Sequence, residues 1–228
     1  MDNIHEGHRR RLKTQFIENG ISALLPHQIL EMLLFYAIPR GDTNITAHRL
    51  LEKFDTISGV FNASIEDLVT IKGISENAAI LIKFIPQLLS VYSIDAIKNK
   101  PLTELSTIAE YFVSCYLGVR NEQLRVCCLD DNLNIISCSV IQDGAVNAVP
   151  VNVRKIVETT YKANSSLIIL AHNHPNGIAV PSDTDIKVTR QIKQTLSAVG
   201  INLLDHVIVC ANNAVSMKYA GYFNTFDL

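Results

Sequence analysis

Two histidines separated by one residue follow an apolar, strand-like run in the second half of the chain. The run is Ser166-Leu167-Ile168-Ile169-Leu170, and His172, His174 and Pro175 come after it. Because side chains alternate along a strand, the two imidazoles are expected on the same side, and the proline ends regular strand pairing. Two converging imidazoles are the start of a transition-metal site, and zinc is the default ion because it accepts imidazole and carboxylate ligands.

A third ligand is predicted from the helix that follows the next loop. Ser182 is placed to cap this helix, and Asp185 lies three positions later in its first turn, from which its carboxylate can turn back toward the histidines. The same two residues also fit an ordinary capping pair that does no chemistry. With three protein ligands, zinc keeps one position open for a water molecule, whose pKa it lowers to about 7. The pattern therefore predicts a hydrolytic metal site.

The spacing of these residues resembles a known motif. His172-x-His174, seven residues, then Ser182-x-x-Asp185 is similar at every defining position to the JAMM motif of MPN-domain metalloproteases. The surrounding sequence, including 143–147 and 204–209, resembles the bacterial RadC family, and the helical N-terminal half fits the same family. The resemblance implies a mixed α/β MPN domain of the cytidine-deaminase-like type. It also implies Zn²⁺ held by the two histidines and Asp185, a peptide or isopeptide substrate, and an oxyanion stabilised by the Ser182 hydroxyl.

The resemblance also implies a glutamate acting as general base near the start of an early strand. Glu122, ahead of the strand-like run 123–129, is the matching residue. The alternative is an ordinary solvated glutamate at a helix-to-strand junction. The chain departs from the RadC pattern where the usual Pro-Arg-Glu reads Val153-Arg154-Lys155. Glu158 lies about one helical turn further on, and a surface pair with Lys155 is its simpler interpretation.

One further pair of polar residues precedes a predicted strand. Asp205 stands before His206 and the run Val207-Ile208-Val209. An aspartate there can orient a metal-ligand histidine, whereas packing at the strand end is the plainer alternative. The remaining histidines have no metal-ligand spacing and are predicted to lie on the surface or in helix packing: His5, His8, His27 and His48.

The elements that must position these residues fall into two predicted domains, which gives an α+β, multi-domain fold. Apolar residues at helical spacing predict an N-terminal helical bundle over 1–98, and a polar stretch over 93–106 reads as the linker. Strands mixed with helices over 106–228 predict an α/β sandwich around a mixed sheet. The predicted strands are 124–129, 134–141, 148–151, 166–171, 203–210 and 214–219, with helices near 153–163 and 183–198.

Two N-terminal features keep a second function open. Residues 68–79 resemble a helix-hairpin-helix, although Ser75 and Asn77 stand where that motif has its second glycine and its lysine. The turn either binds a nucleic-acid phosphate or only connects two helices. Residues 8–13 carry three arginines and a lysine, which are either a solvated helix face or a DNA contact. The competing hypothesis is a DNA-associated repair or recombination module that uses residues 8–13 and 71–79, with a vestigial or nuclease metal site.

The composition limits the class of protein. With 228 residues, 48% hydrophobic and 18% charged, the chain is expected to be globular, and its net charge of −2 argues against a surface built wholly for nucleic acid. No membrane-spanning run or secretory signal is evident, so a cytoplasmic location is expected. The five cysteines form no C-x-x-C pair and are expected to be reduced: Cys115, Cys127, Cys128, Cys138 and Cys210.

Overall fold

A computed structural model describes residues 4–144, 151–175 and 177–225. The chain divides into two compact units, Met1–Leu88 and Leu89–Leu228. The strand predicted at 148–151 lies almost entirely outside the described residues. The helical N-terminal part and the mixed C-terminal sheet that the sequence predicts are both present.

The first unit is helical, with one main apolar core and a smaller cluster in which Leu12 of the first helix packs with Leu24 and Phe35. The core is formed by leucines, isoleucines, valine and alanines such as Leu30, Leu50, Leu68 and Ile82, all fully buried. A short 3₁₀ turn follows the first helix. The helices are α1 (Ile4–Asn19), α2 (Pro26–Ala37), α3 (Thr43–Phe54), α4 (Ile57–Asn62), α5 (Ile65–Val69) and α6 (Glu76–Ile97).

Polar side chains define where three of these helices begin. Asp42 Oδ1 accepts the Asn44 amide at 2.9 Å, Thr56 Oγ1 accepts the Gly59 amide at 2.9 Å, and Ser64 Oγ accepts the Asp67 amide at 3.0 Å. Each of these bonds satisfies an amide that the first turn of a helix leaves unpaired, and such a cap contributes about 1 kcal/mol. The short helices α4 and α5 therefore start at residues that the sequence alone marks.

The turn between α5 and α6 requires glycine for two physical reasons. Gly73 has a φ of +104°, a conformation that other residues rarely adopt. A Cβ at this position would also lie 2.6 Å from Thr46 Oγ1 on α3. The Arg49 guanidinium donates to the Lys72 carbonyl at 3.2 Å, which ties the same turn to α3. Packing against α3 is thus sufficient to explain the glycine.

The second unit is built on a five-stranded mixed sheet. The strand order is β2-β1-β3-β4-β5, and among these neighbours β3 and β4 are parallel while the other pairs are antiparallel. The elements are α7 (Leu105–Cys115), β1 (Gln123–Leu129), β2 (Ile135–Asp143), α8 (Val153–Lys162), β3 (Leu167–Asn173), α9 (Asp183–Ser197), β4 (Asn202–Cys210) and β5 (Asn213–Ser216).

Side chains alternate between the two faces of this sheet. On β3, Ile168 and Leu170 belong to the core that includes Ile156 of α8 and Ile192 of α9. Ile169 and Ala171 belong to the opposite core, which includes residues of α7. The unit is therefore a three-layer α/β/α sandwich, with α8 and α9 on one face and α7 on the other.

The predicted linker begins inside a helix. α6 continues to Ile97, which is 1% exposed and packs in the core that includes α7. Ile94 also packs against that core, so apolar spacing keeps this segment helical in spite of the polar Asp95 and Lys98. The prediction of an irregular segment over 93–106 was wrong for its first five residues, which belong to α6, and for its last two, which belong to the next helix.

One described helix, α6, is long and apolar enough to span a membrane, judged by length and composition alone. The core helices of soluble proteins pass the same test. The sequence analysis considered uninterrupted apolar runs, whereas α6 meets the criterion through its mean hydropathy over a longer window.

Candidate metal centre

The centre begins with two histidines at the end of β3. His172 is fully buried and pairs in register with Leu124 of β1 and Ile208 of β4. His174 lies just beyond the strand, where its amide donates to the Val209 carbonyl at 2.7 Å and keeps the backbone extended. Strand alternation therefore places both imidazoles on the face covered by α9.

The structure brings Asp185 to these two histidines. His172 Nε2 lies 2.9 Å from His174 Nε2 and 3.3 Å from Asp185 Oδ1, and His174 Nε2 lies 3.6 Å from Asp185 Oδ2. In tetrahedral zinc sites, bonds of about 2.0–2.2 Å place the ligand atoms roughly 3.3–3.6 Å apart. Across residues 4–144, 151–175 and 177–225, these three side chains form the one group with ligand atoms close enough to hold a metal ion. Both distances to Asp185 lie in this range, whereas the 2.9 Å between the two histidine nitrogens is shorter. The imidazole and carboxylate donors are those that zinc accepts.

The other ring nitrogen of each histidine is held from outside the cluster. His172 Nδ1 lies 2.9 Å from His206 Nε2, and His174 Nδ1–H donates to the Ile178 carbonyl at 3.0 Å. Metal-binding histidines typically use their second nitrogen in this way, which leaves the first nitrogen unprotonated for the metal. Gly177 permits the tight turn beyond the strand, because a Cβ there would lie 3.3 Å from His174 Cβ.

Asp185 is ionised despite being buried. Burial raises its pKa, but the contacts with His172 and the hydrogen bonds from Ser182 outweigh this and bring the pKa well below its usual value. Two imidazole nitrogens and a carboxylate thus face one point with electron pairs available. A cation at that point relieves their mutual repulsion.

Ser182 occupies the N-cap position of α9, as predicted. Its hydroxyl donates to Asp185 Oδ2 at 2.6 Å and accepts the Asp185 amide at 3.1 Å, while its own amide donates to Oδ2 at 2.7 Å. The capping pair considered as an alternative to a metal site is therefore present. The same hydrogen bonds orient the Asp185 carboxylate, because Ser182 binds Oδ2 and leaves Oδ1 directed toward His172.

Glu122 lies just before β1, opposite the end of β3. Leu124 pairs with His172 in the antiparallel register, and the residue two positions earlier on the same face is Glu122. Its Oε1 is buried and has no hydrogen-bond partner among the described residues. A buried, unpartnered carboxylate oxygen is costly, which is unlike the solvated glutamate considered as the alternative.

The backbone around Glu122 is held by the residue between the two histidines. Asn173 Oδ1 accepts the Gln123 amide at 2.7 Å, and Asn173 Nδ2 donates to the Asn121 carbonyl at 3.0 Å. The Glu122 carbonyl in turn accepts the Gly144 amide at 2.8 Å. Asn173 was not recognised from the sequence, because its role depends on the pairing of β1 with β3.

The residues at the altered RadC tripeptide lie in surface contacts. Lys155 Nζ donates to the Ile141 carbonyl of β2 at 2.7 Å. Glu158 pairs with Arg154 at 2.8 Å, so the predicted pair of Glu158 with Lys155 was wrong. Arg154 lies four residues before Glu158, which is a favourable spacing for an ion pair on a helix.

Asp205 does not reach the metal ligands. Its carboxylate accepts the amides of His206 and Lys218 and the hydroxyl of Ser216, which is the packing role considered as the alternative. His206 instead contacts His172 through Nε2 and lies 2.6 Å from Thr189 Oγ1 through Nδ1. Burial lowers the pKa of His206 well below its usual value. No spacing rule marks His206 or Thr189 as part of the centre.

Part of the N-terminal basic run is used within the first unit. Arg9 donates to the carbonyls of Ile38, Pro39 and Gly41 at 2.8–3.1 Å, and Lys13 lies over the rings of Phe35 and Tyr36. These contacts hold the loop after α2 against α1. Arg10 and Arg11 of the same run are exposed.

Two of the remaining histidines take part in helix packing and one forms a polar contact. His27 stacks on His48 with ring centroids 4.3 Å apart. His8 Nε2 lies 2.9 Å from Oε1 of the buried Glu31.

Comparison with known proteins identifies relatives of nearly the whole chain. Residues 102–222 match the family model described as RadC-like JAB domain. UPF0758 protein FN0909 of Fusobacterium nucleatum is 33% identical over 225 residues, covering 95% of this chain and 97% of that protein. UPF0758 protein SPO0054 of Ruegeria pomeroyi is 31% identical over 218 residues, covering 94% and 96%. The mixed sheet that carries the two histidines is thus the JAB domain, and the chain belongs to the RadC family.

Proposed function

We propose that the protein is a zinc-dependent hydrolase of amide bonds, acting on a peptide or isopeptide substrate. The observation that carries this proposal is the convergence of His172, His174 and Asp185. Glu122 precedes the strand that pairs with β3, and its Oε1 is buried without a hydrogen-bond partner among the described residues. Three protein ligands leave the fourth position of a zinc ion free, which distinguishes catalytic from structural zinc sites. When bound there, zinc would lower the pKa of a water molecule and polarise the substrate carbonyl.

Glu122 is the general base of this proposal. Its carboxylate would take a proton from the attacking water and pass it to the leaving amine, as general acid–base catalysis of amide hydrolysis requires. Its Oε1, which is buried and forms no hydrogen bond within the described part of the chain, is available for this proton. The anchoring of its backbone by Asn173 keeps the carboxylate in place.

Ser182 would stabilise the oxyanion that forms when water attacks the carbonyl. A hydrogen-bond donor aimed at the developing charge lowers the barrier of such reactions. In the structure the Ser182 hydroxyl donates its hydrogen bond to Asp185 Oδ2. Stabilising the oxyanion therefore requires this hydroxyl to rotate toward the substrate when the substrate binds. The side chain is exposed, which leaves it accessible to substrate.

Metal analysis of the purified protein tests the proposal. We expect one zinc ion per chain in the wild type by inductively coupled plasma measurement, and loss of that zinc in His172→Ala and Asp185→Ala. Asp183→Ala is the matched control, because Asp183 is an exposed aspartate in the same helical turn and should leave the zinc content unchanged. Wild-type protein without stoichiometric metal, or ligand variants with unchanged content, would contradict the proposal.

Hydrolysis is tested separately with a mixture of peptides and isopeptide-linked conjugates. Cleavage should require zinc and stop in the ligand variants. Cleavage of nucleic acid by the same preparation, with peptides left intact, would replace the amide substrate by a phosphodiester.

Nucleic-acid binding by the first unit is the second candidate, and it rests on the exposed Arg10 and Arg11 and on the α5–α6 hairpin. A protein that contacts DNA phosphates releases bound cations from the DNA, so its affinity falls as the salt concentration rises. A gel shift that disappears with increasing salt and with Arg10→Gln would support this candidate. No shift at low salt would eliminate it.

A cytoplasmic location is consistent with the thiols. All five cysteines are free, as expected for proteins kept in a reducing compartment. Fractionation of cells that produce the tagged chain tests this expectation.

A further inference from the structure

A chain of short hydrogen bonds runs from helix α9 to the first metal ligand. Thr189 Oγ1 donates to the Asp185 carbonyl at 2.6 Å and lies 2.6 Å from His206 Nδ1. His206 Nε2 lies 2.9 Å from His172 Nδ1. The four residues are all buried, so water does not compete for these contacts.

The direction of each bond in this chain follows from the number of protons available. The Thr189 hydroxyl has one proton, and the Asp185 carbonyl can only accept, so that proton is committed. Toward His206 the hydroxyl must therefore accept, which places a proton on His206 Nδ1. The buried His206 ring carries one proton, because its two nitrogens face a hydroxyl and an imidazole and neither offers a compensating negative charge. Its Nε2 therefore has a lone pair, and His172 must donate to it from Nδ1. His172 Nε2 is left unprotonated and faces His174 and Asp185.

A bulge in β4 allows His206 to take part. Ile168 of β3 pairs with Leu203, but the next residue, Ile169, pairs with Asp205. Leu204 is thus an extra residue in β4. A bulge shifts every later side chain of the strand to the other face of the sheet.

The consequence of this shift is visible at His206. After the bulge, His206 pairs with Leu170, which faces α9 on the same side as His172. Without the extra residue it would pair with Ala171, whose side chain belongs to the opposite core. The bulge at Leu204 therefore places the His206 imidazole in contact with Nδ1 of His172.

We propose that His206 is a positioning residue for the metal centre, and that it holds His172 as the Nδ1–H tautomer with Nε2 directed at the ion. The proposal rests on the function proposed above. Thr189 accepts the Nδ1–H of His206 and donates to the Asp185 carbonyl. One hydrogen-bonded chain therefore links the two candidate ligands His172 and Asp185. Partners of this kind change metal affinity about 10- to 100-fold when they are removed.

Two pairs of variants separate positioning from packing. His206→Leu fills the space without an acceptor, whereas His206→Gln offers an amide oxygen to His172 Nδ1–H. Thr189→Val removes the hydroxyl, and Thr189→Ser retains it. We expect zinc affinity, measured by competition with a chelator, to fall about 10- to 100-fold in the Leu variant. The Val variant should lose less, and the Gln and Ser variants should stay near the wild type.

Nitrogen NMR of the histidine rings provides a readout that does not need zinc. In metal-free protein at alkaline pH, two-bond proton–nitrogen spectra should show His172 and His206 as Nδ1–H tautomers. In His206→Leu, His172 should change to the Nε2–H form, and in His206→Gln it should not. Thermal unfolding confirms that each variant is folded before it is compared.

Several results would overturn the proposal. One is a wild-type His172 that carries its proton on Nε2. Another is a folded His206→Leu with unchanged zinc affinity, and a third is a Gln variant as impaired as the Leu variant. If the wild type binds no zinc, the proposed function fails, yet the tautomers of the metal-free protein still decide whether His206 positions His172.

Discussion

The side-chain amide of Asn173 binds the backbone on both sides of Glu122, through the Gln123 amide and the Asn121 carbonyl. Asn173 also stands between His172 and His174 in the sequence. One residue therefore connects the end of β3, where the two histidines of the candidate metal centre lie, with the segment that carries the proposed general base.

Replacing Asn173 by Ala should impair hydrolysis more than metal binding. The substitution leaves a backbone donor and a backbone acceptor unpaired, which costs about 1–3 kcal/mol for a buried group. Displacing the base by about 1 Å can cost about 100-fold in rate. We expect near-normal zinc content, a lower unfolding midpoint and a large fall in kcat. Asn173→Asp is the partial control, since it can still accept from Gln123. Loss of zinc together with activity would contradict this division of roles.

Removing the Glu122 carboxylate should abolish proton transfer without releasing the metal. In Glu122→Gln we expect a fall in kcat of about 10²- to 10⁴-fold, the usual contribution of a general base. Zinc content should be unchanged. Glu158→Gln is the matched control, because Glu158 pairs with Arg154 on the surface. Full activity in the Glu122 variant would assign the base to another residue.

Gly73→Ala tests whether the α5–α6 hairpin is structural. The positive φ and the 2.6 Å approach to Thr46 Oγ1 predict a loss of about 1–3 kcal/mol in the free energy of unfolding, measured in urea. In a Thr46→Ala background the steric part of the loss should disappear while the backbone strain remains. An unchanged stability, with weaker binding to DNA, would favour the phosphate-binding alternative.

The stacked pair His27 and His48 predicts a pH dependence for the first unit. Burial lowers the pKa of His27, and the nearby His48 lowers it further, while Glu31 opposes both effects. A depressed histidine pKa means that the unfolded chain binds the proton more tightly. Stability is therefore complete above the unfolded pKa of about 6.5 and declines as the pH falls through the folded value.

Unfolding in urea at several pH values on either side of about 6.5 measures this effect. In His27→Gln the decline should be smaller. His8→Gln is the control, because His8 contacts the carboxylate of Glu31 instead of a second imidazole. Equal pH dependence in the His27 variant and the wild type would show that this stack is not its source.

Much of the centre could be predicted because its signals are local. The alternation of His172 and His174 on a strand, and the capping of a helix by Ser182 with Asp185 in its first turn, depend on residues a few positions apart. The same holds for the apolar periodicities that distinguish the helical half from the mixed sheet. The linker was misplaced because the polar Asp95 and Lys98 outweighed the apolar Ile94 and Ile97 in the interpretation, although both isoleucines pack in the core that includes α7.

The sequence by itself determined which side chains form the candidate metal centre and which elements carry them, because strand alternation and helix capping follow from neighbouring residues. Only the tertiary structure decided which residues support those side chains through hydrogen bonds. Asn173 reaches Glu122 through the register of β1 on β3, and His206 reaches His172 because of one extra residue at Leu204. Strand register and bulges are set by how strands distant along the chain pack together, so no local spacing reveals them.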